Sequence, residues 1–512
     1  MTALRGTHLI AGEDSALGTS TFHATAPSTG EPLQPAYVEA TPAEIDRAVT
    51  QADDCVESMA ALAPRQIGAL LDGIAGEIEA LGEELMERAA LETALPVARL
   101  QGERARTTNQ LRLFAGLVRD GSWKDARMDA ALPDRQPARR PDLRRTVIPI
   151  GPVAVWAASN FPLAFSVAGG DTASAFAAGC PVVVKAHAGH PGTSELTGRA
   201  VVRAVAAAGL PAGIFSLLQG ASPETSLELV RHPKIAAGAF TGSLRAGRAL
   251  FDAAARRQVP IPFFAEMGSV NPVFVLNEAL AERGETIADG LFQSVTLGVG
   301  QFCTCPGVAV AVEGAALEQF ARTLRGRFQR GAPGAMLTGS IARAYREATE
   351  RIASIQGVTA AADKRAVRPL EGVPALFEVS DEIFLRHDEL QREIFGPATV
   401  LVRCASGLRM LEVARRLEGS LTATIHGSRR DLEENRPLLA VLARKAGRLV
   451  FGGFPTGVEV CPSMQHGGPY PATSDPRFTS VGTAAIQRFA RPVCFQDCPP
   501  ELLPPELQAL SE

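Results

Sequence analysis

A chain of 512 residues, 46% hydrophobic and 21% charged, is too long for one core and too apolar for a disordered one, so two or three folded units are expected. A formal charge of −4, only 5% aromatic residues and no long Lys/Arg block exclude the basic stripe and stacking surface of a nucleic-acid binder. No run reaches the ~18 apolar residues of a membrane span, and residues 1–10 lack an apolar leader, which points to a cytoplasmic protein.

The eight cysteines are scattered, without paired C-x-x-C spacing or a histidine at zinc distance, so no metal site is expected. In chain order, Ile67, Leu70, Leu71, Ile74, Ile78, Leu81 and Leu85 form the stripe of an amphipathic helix over 61–85. A second helix is predicted over 97–118, followed by a polar connector or arm at 125–145. Short apolar runs at 153–157, 181–185, 214–218, 235–240 and 262–265 then alternate with helical segments at 165–178, 193–208, 225–231 and 244–256. Such alternation predicts a parallel sheet with crossover helices. The second half repeats it less regularly: a helix at 280–297, a strand at 308–312, a helix at 316–329, and apolar runs at 399–402 and 448–451. From about Gly482 the proline-rich tail suits an extended arm that packs on a neighbouring subunit.

Three residues form a chemically coherent set. Cys303 in Gly300-Gln301-Phe302-Cys303, Glu266 in Phe264-Ala265-Glu266-Met267-Gly268 and Asn160 in Ser159-Asn160-Phe161-Pro162 supply a thiol, a carboxylate and a side-chain amide. These are the groups needed to add a nucleophile to a carbonyl, activate water and hold an oxyanion. Singly, each has a plainer reading: Asn160 as a cap or turn residue, Cys303 as structural with Cys305 a rival, Glu266 as a surface ion-pair partner.

Sheets of this kind bind ligands where strands run into helix N-termini. Gly242 and Ser243, between an apolar strand and a helix, could cradle a phosphate, although from this peptide alone a tight turn is the simpler reading. Neither G-x-G-x-x-G nor a P-loop is present. Lys185 ends the run Val182-Val183-Val184 and could hold a ribose hydroxyl or phosphate, or simply be solvated. Ala188 is neutral where an acidic residue could repel a 2′-phosphate, and His187 and Arg245 are near in sequence, so NADP is not excluded.

Together these segments resemble the aldehyde dehydrogenase superfamily over nearly the whole chain. The resemblance is carried by Ile150-Gly151-Pro152-Val153, Ser159-Asn160-Phe161-Pro162-Leu163, Val184-Lys185, Phe240-Thr241-Gly242-Ser243, Glu266-Met267-Gly268, Gly300-Gln301-Phe302-Cys303 and Glu393-Ile394-Phe395-Gly396-Pro397. Segments 454–460 and 466–474 are similar to those of the bacterial 2-oxoglutarate semialdehyde (2,5-dioxovalerate) dehydrogenases.

The resemblance implies an α/β fold. It comprises a Rossmann-like cofactor domain (1–130 and 151–265), an α/β catalytic domain (266–481) and a small oligomerisation arm (131–150 and 482–512) that builds homodimers or homotetramers. It also implies Cys303 as nucleophile, Glu266 as base and Asn160 as oxyanion donor. Lys185 and Glu393 become ribose contacts, Gly242 and Ser243 lie at the pyrophosphate, and Phe395 stands against the nicotinamide. Position 188 lacks the acid of many NAD-preferring members, so NADP is favoured, with NAD usable. The presence of Glu266 favours water over coenzyme A as acyl acceptor, giving a carboxylate. A pocket of Phe161, Phe165, Phe302 and Phe454 is also compatible with broad-range aliphatic or aromatic aldehydes, and a catalytically silent binding protein is the remaining alternative. The sequence does not name the cation that an acid-bearing aldehyde requires.

Overall fold

The computed structural model describes residues 4–361 and 368–511. Five parallel strands, Phe263–Glu266, Ala237–Thr241, Val153–Trp156, Val182–Lys185 and Phe215–Leu218, lie side by side in that order. His8–Ile10 and Glu13–Ser15 extend the sheet antiparallel. Helices Pro64–Ala80, Val97–Asp120 and Pro191–Ala207 pack on one face and Pro42–Asp54, Pro223–Arg231 and Leu244–Ala255 on the other. Burial on both faces is why strands such as Val182-Val183-Val184 are continuously apolar rather than alternating. Strand order reverses at Val153–Trp156, since the next two strands in sequence lie to one side and the following two to the other. The crevice at the carboxyl ends of these strands is where such sheets hold ligands.

A second sheet has the order Thr359–Ala360, Ala375–Ser380, Ala398–Cys404, Val308–Val312, Val273–Val275, Ser420–His426, Ala446–Phe451, parallel apart from the first pair. Four of its strands escaped the sequence reading. Ser420–His426 is wholly buried yet half hydroxyl-bearing or polar, so it lacks an apolar run; Thr359–Ala360 and Val273–Val275 are too short, and Glu378 interrupts Ala375–Ser380.

Two expected helices differ. The 61–85 stripe is broken, because Pro64–Ala80 ends before Gly82, whose φ of 56° starts a new helix, Gly82–Thr93. The helix expected from 165 begins only at Gly170. The buried Glu103 carboxylate takes the backbone N–H groups of Leu163 and Ala164 at 2.8 and 3.0 Å, holding that stretch as a turn. The polar segment and the tail form one three-stranded sheet, Ala490–Gln496, Leu143–Pro149, Arg127–Asp129. The start of the tail is not extended, since the 3₁₀ segment Thr483–Phe489 buries Ala485, Ile486 and Phe489 in the first core.

Candidate active site

Cys303 follows a turn in which Gly298, Val299 and Gly300 have left-handed backbone, with φ of 56, 59 and 66°. A Cβ at Gly300 would come within 2.2 Å of the Gly396 carbonyl oxygen, so only glycine lets the thiol loop touch the Phe395–Pro397 chain. Asn271 fixes the loop from beneath: its Nδ2 donates to the carbonyls of Cys303 and Cys305 at 2.8 and 3.1 Å. The Asn271 Oδ1 accepts from Ser269 Oγ and from the Thr422 N–H and hydroxyl. Cys303 is partly exposed, whereas Cys305 is buried with its thiol toward the carbonyls of Val295 and Gly396.

Beside Cys303 stand an imidazole and a carboxylate. His466 Nε2 is 3.4 Å from Cys303 Sγ and 3.1 Å from Glu266 Oε1, and Ser480 Oγ donates to Glu266 Oε2 at 2.5 Å. The sulfur, nitrogen and oxygen lie within 4.8 Å of one another. Burial pushes the Glu266 carboxyl up, but His466, Ser480 and Cys303 outweigh it and hold the group below the ordinary carboxylate range. Burial, and then the negative charge of Glu266, pushes the Cys303 thiol well above its ordinary value. The resting sulfur is therefore protonated, with proton acceptors in contact. His466 Nδ1 is buried without a hydrogen-bond partner among the described residues, so Nε2 is the ring atom that serves both Cys303 and Glu266. Neither His466 nor Ser480 was singled out in the sequence; buried histidines look alike there, and only packing around Glu266 distinguishes this one.

Asn160 is buried, and its Nδ2 donates to the Gln301 carbonyl at 3.1 Å, leaving the second N–H of the amide available beside the thiol loop. Phe161 packs edge-on against Phe165 and Phe302 at 5.3 and 5.5 Å. Phe454 instead lies against His426, 4.9 Å away, and the Gly290 position of the neighbouring helix.

The remaining predicted residues meet at the strand ends. Lys185 neighbours Trp156 in register, and its ammonium is pushed down to about 8, chiefly by burial. Ser243 caps the helix Leu244–Ala255, its Oγ accepting from the Ala246 N–H, and Gly242 N–H donates to the Glu266 carbonyl at 3.1 Å. Glu393 lies over the Glu266–Gly268 turn, where a Cβ on Gly268 would meet its Oε2 at 2.9 Å; burial, then Glu266, pushes its carboxyl up to about 8. Phe395 lines the same small cavity as Ser269, Phe302 and Glu393. The Trp156 indole N–H, buried at the same edge, has no partner. A buried ammonium, an indole N–H unpartnered among the described residues and the N-terminus of the helix that Ser243 begins fit a ligand with phosphates and hydroxyls, such as a dinucleotide.

A doubly wound sheet opening onto a thiol in contact with an imidazole–carboxylate pair defines an enzyme with a cysteine nucleophile. The profile of the aldehyde dehydrogenase family matches residues 14–436. The chain belongs to the aldehyde dehydrogenase family and is an oxidoreductase acting on aldehydes.

It is 50% identical over 507 residues to alpha-ketoglutaric semialdehyde dehydrogenase 2 of Azospirillum brasilense, covering 99% of this chain and 97% of that one. It is 44% identical over 510 residues to alpha-ketoglutaric semialdehyde dehydrogenase of Acinetobacter baylyi, with coverage of 99% and 97%. Among solved structures, betaine aldehyde dehydrogenase of Staphylococcus aureus has a TM-score of 0.82 at 20% identity, covering 97% of each chain. A 3,6-anhydro-L-galactose dehydrogenase in complex with NAP has a TM-score of 0.81 at 21% identity, covering 96% of this chain and 99% of that one.

Proposed function

We propose that this enzyme oxidises 2-oxoglutarate semialdehyde (2,5-dioxopentanoate) to 2-oxoglutarate through a thioester on Cys303. The observation that carries the chemistry is the contact of Cys303 Sγ with His466 and, through it, Glu266. The substrate reading is supported by the 50% identity to a semialdehyde dehydrogenase over nearly the full chain.

As Cys303 Sγ bonds to the aldehyde carbon, its proton passes to the His466–Glu266 pair, which releases it to solvent before the thioester is hydrolysed. The resulting oxyanion is held by the free N–H of the Asn160 amide and the Cys303 backbone N–H, each such donor stabilising the transition state by roughly 3–4 kcal/mol. A bound nicotinamide dinucleotide supplies the hydride acceptor, and Lys185, Ser243 and Glu393 are the residues that would hold it. Glu266 then draws a proton from the water that attacks the thioester, and His466 and Ser480 keep that carboxylate ionised and aimed. Ala188 leaves room for a 2′-phosphate beside Lys185, which supports NADP with NAD usable. The sheet joining 143–149 to 490–496 supports a homodimer or homotetramer assembled through this arm. The eight cysteines include no disulfide among the described residues, in keeping with a reducing cytoplasm.

Two measurements test this. Wild-type enzyme should prefer 2,5-dioxopentanoate over hexanal in a reduced-cofactor assay; the reverse preference supports the broad-range reading. Glu266→Gln should give a burst of about one reduced cofactor per site, with an acyl adduct on Cys303 by mass spectrometry. A slow variant with neither burst nor adduct removes Glu266 from deacylation.

A further inference from the structure

One cation in the pocket has no partner. Arg106, on helix Val97–Asp120, sits over the rings of Phe165 and Phe161 at 5.3 and 5.8 Å. Phe165 is 6.3 Å from His466, which contacts Cys303, so the guanidinium and the reacting sulfur share one wall. Burial weighs most on the Arg106 guanidinium and pushes it below its ordinary range, and Glu103, Glu266 and the exposed Glu459 are the carboxylates acting on it. The Nε and Nη2 atoms of Arg106 are buried and without a hydrogen-bond partner among the described residues.

Its neighbours do not complete it. Glu103, one turn earlier, gives Oε1 to the backbone of Leu163 and Ala164, its Oε2 is buried without a partner and forms no ion pair with Arg106 among the described residues, and burial pushes its carboxyl up toward the neutral form. Arg99 is likewise engaged, donating to the Asn160 carbonyl at 2.8 Å and lying over Phe302 at 4.8 Å. A buried charge without a partner is retained at a cost unless a ligand completes it. Here the unmet pair, Nε and Nη2, is the side of a guanidinium that forks onto two carboxylate oxygens. Between this fork and Cys303 lie phenylalanine faces suited to a short methylene chain.

We propose that Arg106 binds the distal carboxylate of the aldehyde substrate and thereby sets the preference for acid-bearing over neutral aldehydes. The inference deepens the semialdehyde reading and rests on it for the identity of the acid.

The test compares kcat/KM for 2,5-dioxopentanoate and for succinic semialdehyde, each as a ratio to hexanal, in wild type, Arg106→Gln and Arg106→Lys. Arg106→Gln should lower both acid-to-neutral ratios ~100-fold, mainly through KM, and Arg106→Lys should lower them only ~10-fold, because the charge stays and the fork is lost. Ratios that stay within about threefold of wild type, or parallel losses on all three aldehydes, overturn the proposal. Should Arg106→Gln fail to fold, the Arg106→Lys ratio decides alone. A wild type that prefers hexanal defeats the semialdehyde reading without touching this one, which the shift in ratio still judges.

Discussion

At the scale of single residues, the site separates groups by what surrounds them. Cys303 and Cys305 are two positions apart, yet one thiol meets an imidazole and the other is buried against carbonyls, with burial pushing it far above the ordinary thiol range. Glu266 and Glu393 differ in the same way. His466 and Ser480 hold Glu266 ionised, while Glu393, with Glu266 as a neighbour, is pushed from 4.5 up to about 8. Folded protein thus keeps a proton on Glu393 that the unfolded chain releases, so its contribution to stability is full below about 4.5 and is lost as pH climbs toward about 8. In thermal melts of cofactor-free protein, Glu393→Gln should therefore gain on wild type between pH 5 and pH 8.5. A constant difference across that range would remove Glu393 as the titrating group.

At the scale of elements, the nucleophile loop is held by groups that no motif advertises. Asn271, fully buried at a φ of 47°, bridges the carbonyls of Cys303 and Cys305 to the strand Ser420–His426. Asn271→Ala leaves several buried groups unpaired and should cost about 2–4 kcal/mol in urea unfolding. It should also lower kcat at folding temperatures, because the thiol loses its support; an unchanged urea midpoint would contradict this. Elements legible in the sequence were those with a continuous apolar run or a stripe, such as Val182–Lys185 and Leu244–Ala255. Those that were not legible owe their place to tertiary partners: Ser420–His426 is wholly buried despite its hydroxyls, with Thr422 bonded to the Asn271 side chain, and the turn before Gly170 exists because Glu103 captures its N–H groups. The same limit applied within the site. Cys303, Glu266 and Asn160 sit in local motifs, but Arg106 and His466 lie 160 residues or more from Cys303 in the chain, and no spacing rule joins them.

At the scale of the whole molecule, the last 50 residues stitch the units together. Met267 N–H donates to the Ala472 carbonyl and Ser474 N–H to the Ala265 carbonyl, Thr483–Phe489 enters the first core, and Ala490–Gln496 completes the sheet with Leu143–Pro149. Ala490–Gln496 forms the outer edge of that sheet, with one unpaired side. If this arm assembles the enzyme as proposed, deleting residues 490–512 lowers the mass seen by light scattering after size exclusion; an unchanged mass rejects assembly through the arm.

Glu266 and Cys303 precede His466 and Ser480 by some 160 to 214 positions. The four groups therefore meet only once stretches of chain made far apart have both emerged and folded together, so the water-activating carboxylate and its supports are assembled last.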